Sequence, residues 1–265
     1  MTLPAAAAID WTQPWLAPYR ANGEAVAQAA VRGTSVADAL QALKPAMAPD
    51  FVRQEALPPG QAYEAHVFQA RAVPTRDNLH DLLNGLVWCA FPRTKQRLNE
   101  LQAAEIAHRG VSAVRGPLRD ALTLFDENGA VLDAPPALWR ALIARDWHTL
   151  FVTQRRLWTQ ARVRVFGHAL LEKLVAPRKA ATAHVLLPAG GMADAAAEAF
   201  DAAIDDAALA QRMAPAWLAA KPFVPLPVLG IPGWCAGNAA PAFYADAQVF
   251  RPPKAAPETP AHRPG

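Results

Sequence analysis

Helical periodicity dominates the first half of the chain. Apolar residues recurring three and four positions apart predict a helix in VADALQAL, with Ser35 as its N-terminal cap. The same spacing predicts a helix from Asp77, as cap, to about Ala90. Pro92 is expected to break that helix and to begin the next one, RTKQRLNELQAAEIAHR, which Gly110 would close.

Extended segments are shorter and fewer. Alternation of apolar and polar residues predicts strands in 61–73, in RVRVFGH and in ATAHVLLP. In ALTLFDENGAVLD, apolar residues flank Asn128-Gly129, the preferred pair for a two-residue turn, which predicts a β-hairpin over 121–132. The proline-containing run at 223–235 is expected to lie extended over the core.

An N-terminal arm, a C-terminal tail and further helices complete the expected fold. Tryptophans and a tyrosine in residues 9–20 predict an N-terminal arm that docks by aromatic burial. We expect an α+β protein, a helix-dominated single domain over 1–250 with a few short strands and one β-hairpin, followed by a proline-rich disordered tail over 251–265. Further helices are predicted at 136–146, at 147–160, in ALLEKLVA and at 192–213.

Composition narrows the protein class. Of 265 residues, 52% are hydrophobic and 18% are charged, which excludes a disordered polyelectrolyte. A net charge of +3 disfavours a dedicated nucleic-acid binder, and no apolar stretch reaches the length of a membrane span. The N-terminus lacks the pattern of a secretory signal, and Cys89 and Cys235 form no CxxC pair. These features predict a cytoplasmic protein with reduced thiols.

The predicted helix after Asp77 has an unusual polar face. His80, Asp81, Asn84 and Trp88 share that face with Asp77, although solvated faces usually carry lysine and glutamate. Asn84 is followed by a glycine, which indicates close packing at that turn. Two interpretations remain open: a polar pocket in which His80 and Asp81 act as acid, base or metal ligands, and a structural hydrogen-bond network between two helices.

The next predicted helix carries a second polar stripe, formed by Lys95, Asn99 and Gln102. The two stripes are expected to face each other across the break at Pro92. In the catalytic interpretation, Asn84 orients a ligand, and Lys95 or Arg115 holds an anionic group.

A further candidate cluster lies later in the chain. His168 and Glu172 are four residues apart, so on a helix they meet on one face, either as metal ligands or as a local contact. His184 lies in a predicted strand, where it is either a third ligand or a core residue. The segment is not an HExxH motif, because the second histidine is absent.

For two further sets of charged residues, the sequence favours a structural role over a functional one. Asp126 and Glu127 precede Asn-Gly, where acidic residues usually serve the turn. The arginines of 155–164, with a tryptophan among them, either contact phosphates and stack a base or form a solvated helix face.

Several long segments carry a family resemblance. VPTRDNLHDLLNGLVW, FPRTKQRLNELQAAEIA, RDALTLFDENGAVL, VFGHALLEKL and LPVLGIPGW, with FYADAQVFRP after it, resemble a bacterial family known as domain of unknown function 3025. The resemblance covers about residues 9–253. It implies a single bacterial cytoplasmic domain, and it implies no activity, cofactor or catalytic residue.

The sequence leaves three functions open. The first is a metal-assisted hydrolase with zinc or manganese bound by residues drawn from His80, Asp81, His168, Glu172 and His184. The second, of nearly equal weight, is a non-catalytic scaffold that docks an undefined partner through the N-terminal arm and residues 223–234. The third and weakest is nucleic-acid binding through the arginines of 155–164.

Overall fold

Helices make up most of the protein, as the periodicity predicts. A computed structural model describes residues 9–109, 116–188 and 205–252. The helices are α1 (Arg20–Val31), α2 (Val36–Leu43), α3 (Tyr63–Ala70), α4 (Leu79–Ala90), α5 (Pro92–Arg109), α6 (Pro117–Asn128), α7 (Pro136–Ile143), α8 (His168–Val175), α9 (Asp206–Gln211) and α10 (Pro215–Ala219). The predicted helix at 147–160 is instead a π turn followed by a 3-10 helix.

The strands form two small sheets. β1 (Asp50–Arg53) and β2 (Ala72–Thr75) are parallel neighbours. The second sheet has the order β4-β3-β5-β6, built from β3 (Gly129–Asp133), β4 (Arg162–Val165), β5 (Thr182–Leu186) and β6 (Phe223–Pro227). β3 pairs antiparallel with β4 and parallel with β5, and β5 pairs antiparallel with β6. The protein is therefore a helix-dominated α+β domain.

The α4 helix lies at the centre of the fold. It packs against α1, α2, α5 and α8, and its leucines are buried on both sides. Gly85 allows this packing, because a Cβ atom there would lie 2.2 Å from Leu40 Cδ1 of α2. The sequence prediction of close packing after Asn84 is confirmed.

Both segments that the scaffold hypothesis assigned to partner docking are buried against the body. In the N-terminal arm, Trp15 and Tyr19 are each 2% exposed, and the Tyr19 hydroxyl donates to the Val165 carbonyl at 2.6 Å. In the second segment, Leu226 and Leu229 lie in the core, within or directly after β6. The aromatic residues of the arm dock as predicted, and little of either segment remains to meet a partner.

The prediction of a strand over 61–73 was wrong for most of its length. Residues Tyr63–Ala70 form α3, because His66 and Val67 on one side of that helix are buried and α3 packs against α5. The prediction of Asp77 as the cap of α4 was also wrong. Asn78 caps the helix by accepting from the Asp81 backbone N–H at 2.8 Å, whereas the Asp77 carboxylate accepts from the Val36 N–H of α2 at 2.7 Å.

The predicted β-hairpin over 121–132 is absent, and Asn128-Gly129 is a junction between α6 and β3. Apolar residues at 118, 121, 122 and 125 follow helical spacing, and Pro117 occupies the first turn of the helix. Gly129 has a φ of −73°, so no left-handed turn is formed. It serves close packing instead, because a Cβ atom there would lie 2.3 Å from the Phe125 carbonyl oxygen.

Some sequence predictions fall outside the described residues. These are the closing role of Gly110, the position of Arg115, most of the helix predicted at 192–213 and nearly all of the tail. Among the helices that the structure describes, none combines the length and apolar character needed to cross a membrane.

Candidate metal centre

Three helices bring histidine and carboxylate side chains together. His80 lies in the first turn of α4, His168 begins α8, and Asp126 and Glu127 lie at the C-terminal end of α6. The start of α8 approaches the end of α6 closely because Gly167 has no side chain. A Cβ atom at that position would lie 2.5 Å from the Glu127 carbonyl oxygen.

The two imidazole rings meet edge to face. Their Nε2 atoms are 3.1 Å apart, and the ring centroids are 4.6 Å apart. The Nδ1 atom of His80 lies 2.8 Å from Glu172 Oε2. Because a carboxylate accepts at Nδ1, the proton of a neutral His80 ring belongs there, and its Nε2 lone pair faces His168.

His168 is almost completely buried, at 4% exposure. Its Nδ1 atom makes no hydrogen bond of good geometry, although Asp126 lies alongside, with Oδ2 at 3.8 Å. Burial lowers the pKa of His168 to about 4, despite the opposing charge of Asp126, so the ring is neutral at pH 7. A proton on Nδ1 would face the Asp126 carboxylate, which leaves a second lone pair on the Nε2 atom that faces His80.

Glu127 completes a set of three ligand-type side chains. Its Oε1 lies 3.8 Å from His168 Nε2, and single ligand atoms of His80, Glu127 and His168 all lie within 4.8 Å of one another. Neighbouring ligands of a tetrahedral zinc ion are about 3.3 Å apart, so the spacing is close to that of a coordination sphere. Burial and the charge of Asp126 raise the pKa of Glu127, and they outweigh the opposing charges of Lys95 and Lys173.

Lys95 and Asn84 occupy the wall beside Asp126. The buried Lys95 ammonium donates to Asn84 Oδ1 at 2.8 Å and to Asp126 Oδ1 at 2.5 Å. Burial alone would raise the pKa of Asp126, but Lys95 and His168 outweigh it, and the pKa is lowered. Asn84 also donates to the Tyr63 hydroxyl at 3.3 Å. Because Lys95 of α5 donates to Asn84 of α4, the two polar stripes do face each other across Pro92.

Asp81 and Glu172 have other contacts. Both Asp81 carboxylate oxygens accept from Arg76, through its Nε, its Nη2 and its backbone N–H, and the carboxylate is therefore occupied at the edge of the site. Glu172 binds the outer nitrogen of His80 and is not part of the three-residue set. Both residues are thus placed to support the site from outside that set.

One other predicted site residue is not brought to the cluster, and another is not described. His184 lies on β5 opposite Pro225, and it is not one of the residues that line the cavity at the cluster. Burial lowers its pKa. Arg115 lies outside the described residues.

A cavity of about 360 Å³ opens beside the cluster. His80, Glu127 and His168 are among its lining residues, together with Asp126. The other walls include Tyr63, Arg76, Trp88, Lys95, Asn99 and Gln102.

Sequence reasoning missed Asp126 and Glu127 as members of the site. It assigned them to a hairpin turn because Asn128-Gly129 follows them. The helical spacing of the apolar residues from 118 to 125 was the signal that could have placed them at a helix end.

The arginines considered for nucleic-acid recognition are partly engaged within the protein. Arg155 donates to the Asn238 carbonyl at 3.0 Å and to the Tyr244 hydroxyl at 3.1 Å, and Arg162 pairs with Asp133. Trp158 is buried, and its indole N–H donates to the Leu150 carbonyl at 2.9 Å. The aromatic ring is therefore unavailable for stacking on a base.

The fold and the site define a helix-dominated α+β protein with a partly buried histidine and carboxylate cluster in the lining of a small cavity. The chain belongs to a family described as protein of unknown function (DUF3025), whose family model matches residues 49–254. This confirms the resemblance seen in the sequence. No curated protein and no solved structure matches the chain.

Proposed function

We propose that this protein is a metal-assisted hydrolase that binds zinc or manganese through His80, His168 and Glu127. The observation that carries the proposal is the 3.1 Å approach of two histidine Nε2 atoms whose outer nitrogens both face carboxylates. Two imidazole nitrogens at this distance share either a proton or a cation, and a cation leaves both outer nitrogens protonated towards the carboxylates that they face.

The residues present fit such an ion. Two histidines and one glutamate form a ligand set typical of catalytic zinc, which leaves a fourth position for water. Manganese also accepts imidazole and carboxylate ligands. Metal-bound histidines usually give their other ring nitrogen to a carboxylate, as His80 does to Glu172 and as His168 is placed to do to Asp126.

The ion would supply an activated water and a Lewis acid for a hydrolytic reaction. The protein's own residues orient the histidine ligands and keep them in the form that binds a metal. Glu172 orients His80, and Asp126, itself held by Lys95, lies against His168. Burial of His168 keeps its ring neutral, which is the form that binds a metal.

The scaffold alternative receives less support. The aromatic side chains of the N-terminal arm and the leucines after residue 223 are buried in the core, so the large apolar side chains expected to dock a partner are not exposed. The structure also offers a cavity with convergent polar groups, which is typical of a small-molecule site. We also propose a cytoplasmic location, which is supported by the unpaired Cys89 and Cys235.

The test is the metal content of the purified full-length protein, without a histidine tag, measured by elemental mass spectrometry. We expect near-stoichiometric zinc or manganese in the wild type. His80→Ala combined with His168→Ala should lose it, because two of three ligands are removed. His184→Ala is the matched control and should retain the metal, because His184 lies outside the cluster.

Two results would contradict the proposal. One is unchanged metal content in the double variant. The other is a metal-free wild type whose melting temperature does not move when zinc or manganese is added, since a ligand that binds the native state must stabilise it.

A further inference from the structure

The hydrogen bonds that join Lys95, Asn84 and Tyr63 run in one direction. The Lys95 ammonium can only donate, and it donates to Asn84 Oδ1 at 2.8 Å. This contact fixes the orientation of the Asn84 carboxamide, because the reverse orientation would place its NH2 group against the ammonium. The NH2 group therefore faces Tyr63 and donates to the hydroxyl oxygen at 3.3 Å. Both Lys95 and Asn84 are buried, which protects this arrangement from solvent.

The Tyr63 hydroxyl is left with an unused hydrogen. Because its oxygen accepts from Asn84, its own O–H has to donate to another group. No residue in the described part of the chain accepts that hydrogen. Tyr63 is partly buried, and it is one of the residues that line the cavity. The hydroxyl is therefore a donor available to a molecule in the cavity.

The charges around this hydroxyl determine what it can bind. Burial raises the pKa of Tyr63, and the carboxylates of Asp81 and Asp126 raise it further, so the hydroxyl keeps its proton at neutral pH. Both carboxylates also line the cavity. A carboxylate or phosphate group placed at Tyr63 would meet the same negative charges. The hydroxyl therefore favours an uncharged acceptor, such as an ether, hydroxyl or carbonyl oxygen.

Tyr63 belongs to the same wall of the protein as the histidine cluster. Its partner Asn84 follows His80 by four residues in α4, so the two side chains share a helix face and lie one turn apart, roughly 5 Å. The Lys95 ammonium that orients Asn84 also donates to Asp126, which lies against His168. A small molecule that contacts a metal ion at the cluster and extends by about one helical turn along α4 would reach the Tyr63 hydroxyl.

We propose that Tyr63 is a specificity-determining residue of this site, which donates its hydroxyl hydrogen to an uncharged oxygen of the substrate, roughly 5 Å from the group that is hydrolysed. This inference rests on the proposed function. It defines the substrate class as uncharged molecules that carry a second oxygen at that separation from the cleaved bond. Asn84 and Lys95 are positioning residues, because they set the direction in which Tyr63 donates.

The experiment uses hydroxamic acids, which bind metal ions, on the zinc-loaded full-length protein, with affinities measured by calorimetry. 3-Ethoxypropanohydroxamic acid and 4-methoxybutanohydroxamic acid carry an ether oxygen at neighbouring positions of one chain, and hexanohydroxamic acid has a methylene group instead. Glutaric monohydroxamic acid is the anionic probe. We expect at least one ether to bind about fivefold more tightly than hexanohydroxamic acid, and the anionic probe to bind most weakly.

Tyr63→Phe removes only the hydroxyl group and should abolish the preference for the ether, while the zinc content stays the same. Tyr244→Phe is the matched control, because Tyr244 is not among the residues that line the cavity, and it should retain the preference.

Asn84→Asp tests the direction of the hydrogen bonds. The new carboxylate would accept both from Lys95 and from the Tyr63 hydroxyl, so the hydroxyl would no longer donate to the probe. The preference for the ether should therefore be lost although Tyr63 is present and the side chain at position 84 keeps its size. Asn22→Asp, at an exposed position of α1, is the control and should retain the preference.

The inference is overturned if neither ether binds more tightly than hexanohydroxamic acid to the wild type, if the preference survives in Tyr63→Phe or in Asn84→Asp, or if the anionic probe binds most tightly. It is also overturned if zinc binds and no probe binds, and the proposed metal site then stands. Failure of the proposed function is distinguishable, because zinc then binds to no variant. That result would reject both proposals together.

Discussion

Two buried polar clusters in this protein differ in how completely their polar atoms are hydrogen-bonded. Asn238 is 1% exposed, and both the amide and the carbonyl oxygen of its side chain have partners within the protein. Its amide donates to the Leu229 and Ile231 carbonyls at 2.8 and 2.7 Å, and its Oδ1 accepts from Arg155 at 3.1 Å. In the His80–His168 cluster, by contrast, two ring nitrogens face each other, and the buried His168 Nδ1 has no hydrogen bond of good geometry.

The difference separates a structural network from a candidate site. Hydrogen bonds that close on one another hold loops in place, and the network around Arg155 fixes the C-terminal segment on the aromatic cluster of Phe151 and Tyr244. Donors and acceptors that remain open inside a cavity have no such role. They are retained at a cost that a bound ion or substrate would offset.

The largest effect is expected from breaking the closed network. Asn238→Ala should lower the free energy of unfolding by about 3 kcal/mol, because it removes three hydrogen bonds and leaves the buried Leu229 carbonyl without a donor. Thermal unfolding should show a melting temperature about 6–12 °C lower, with metal content unchanged. Asn22→Ala, at an exposed position of α1, is the control. A variant as stable as the wild type would mean that closure of the network is not what stabilises this segment.

A smaller effect is expected from loosening the open cluster. Glu172→Ala should weaken zinc binding by about 10–100-fold without abolishing it, because His80 loses the carboxylate that orients it. Glu172→Gln should recover part of the affinity, since an amide oxygen still accepts from Nδ1. Competition with a fluorescent chelator gives the affinities, and Glu24→Gln on the surface of α1 is the control. Equal affinity in all variants would contradict a positioning role for Glu172.

The smallest effect concerns pH. The pKa of His168 is lowered to about 4, so between that value and its ordinary 6.5 the unfolded chain binds a proton that the native protein does not. Stability therefore falls as the pH decreases through this window, by about 1–2 kcal/mol between pH 7 and pH 5 for this residue. Melting temperatures of metal-free wild type and His168→Gln should diverge with pH, and the wild type should lose more. Parallel curves would show that burial does not suppress protonation of His168.

Local rules sufficed for many of the elements. Ser35 caps α2 by accepting from the Asp38 N–H at 3.1 Å, and the break at Pro92 separates α4 from α5 as expected. In these places, capping and proline geometry act within a few residues. The local rules failed at Tyr63–Ala70 and at Asn128-Gly129. There, packing of α3 on α5 and of Gly129 on Phe125 overrode the local signals.

Part of the candidate site was also within reach of the sequence. Helical spacing alone placed His80 with Asn84, Lys95 with Gln102, and His168 with Glu172. It did not show that His80 reaches across to Glu172, or that Asp81 is occupied by Arg76. The first contact joins two helices, and the second turns the Asp81 side chain toward the segment before its own helix. Helical periodicity contains no information about either kind of contact.

By itself, the sequence determined which residue types share a face of α4, α5 and α8, because side-chain direction follows from the backbone period. Only the tertiary structure decided that the faces of α4, α6 and α8 meet, that Glu127 joins the two histidines and that His184 does not. The physical reason is that packing of apolar surfaces brings these helices together. The short distances between polar atoms are a consequence of that packing, and the glycines at 85, 129 and 167 allow the close approaches.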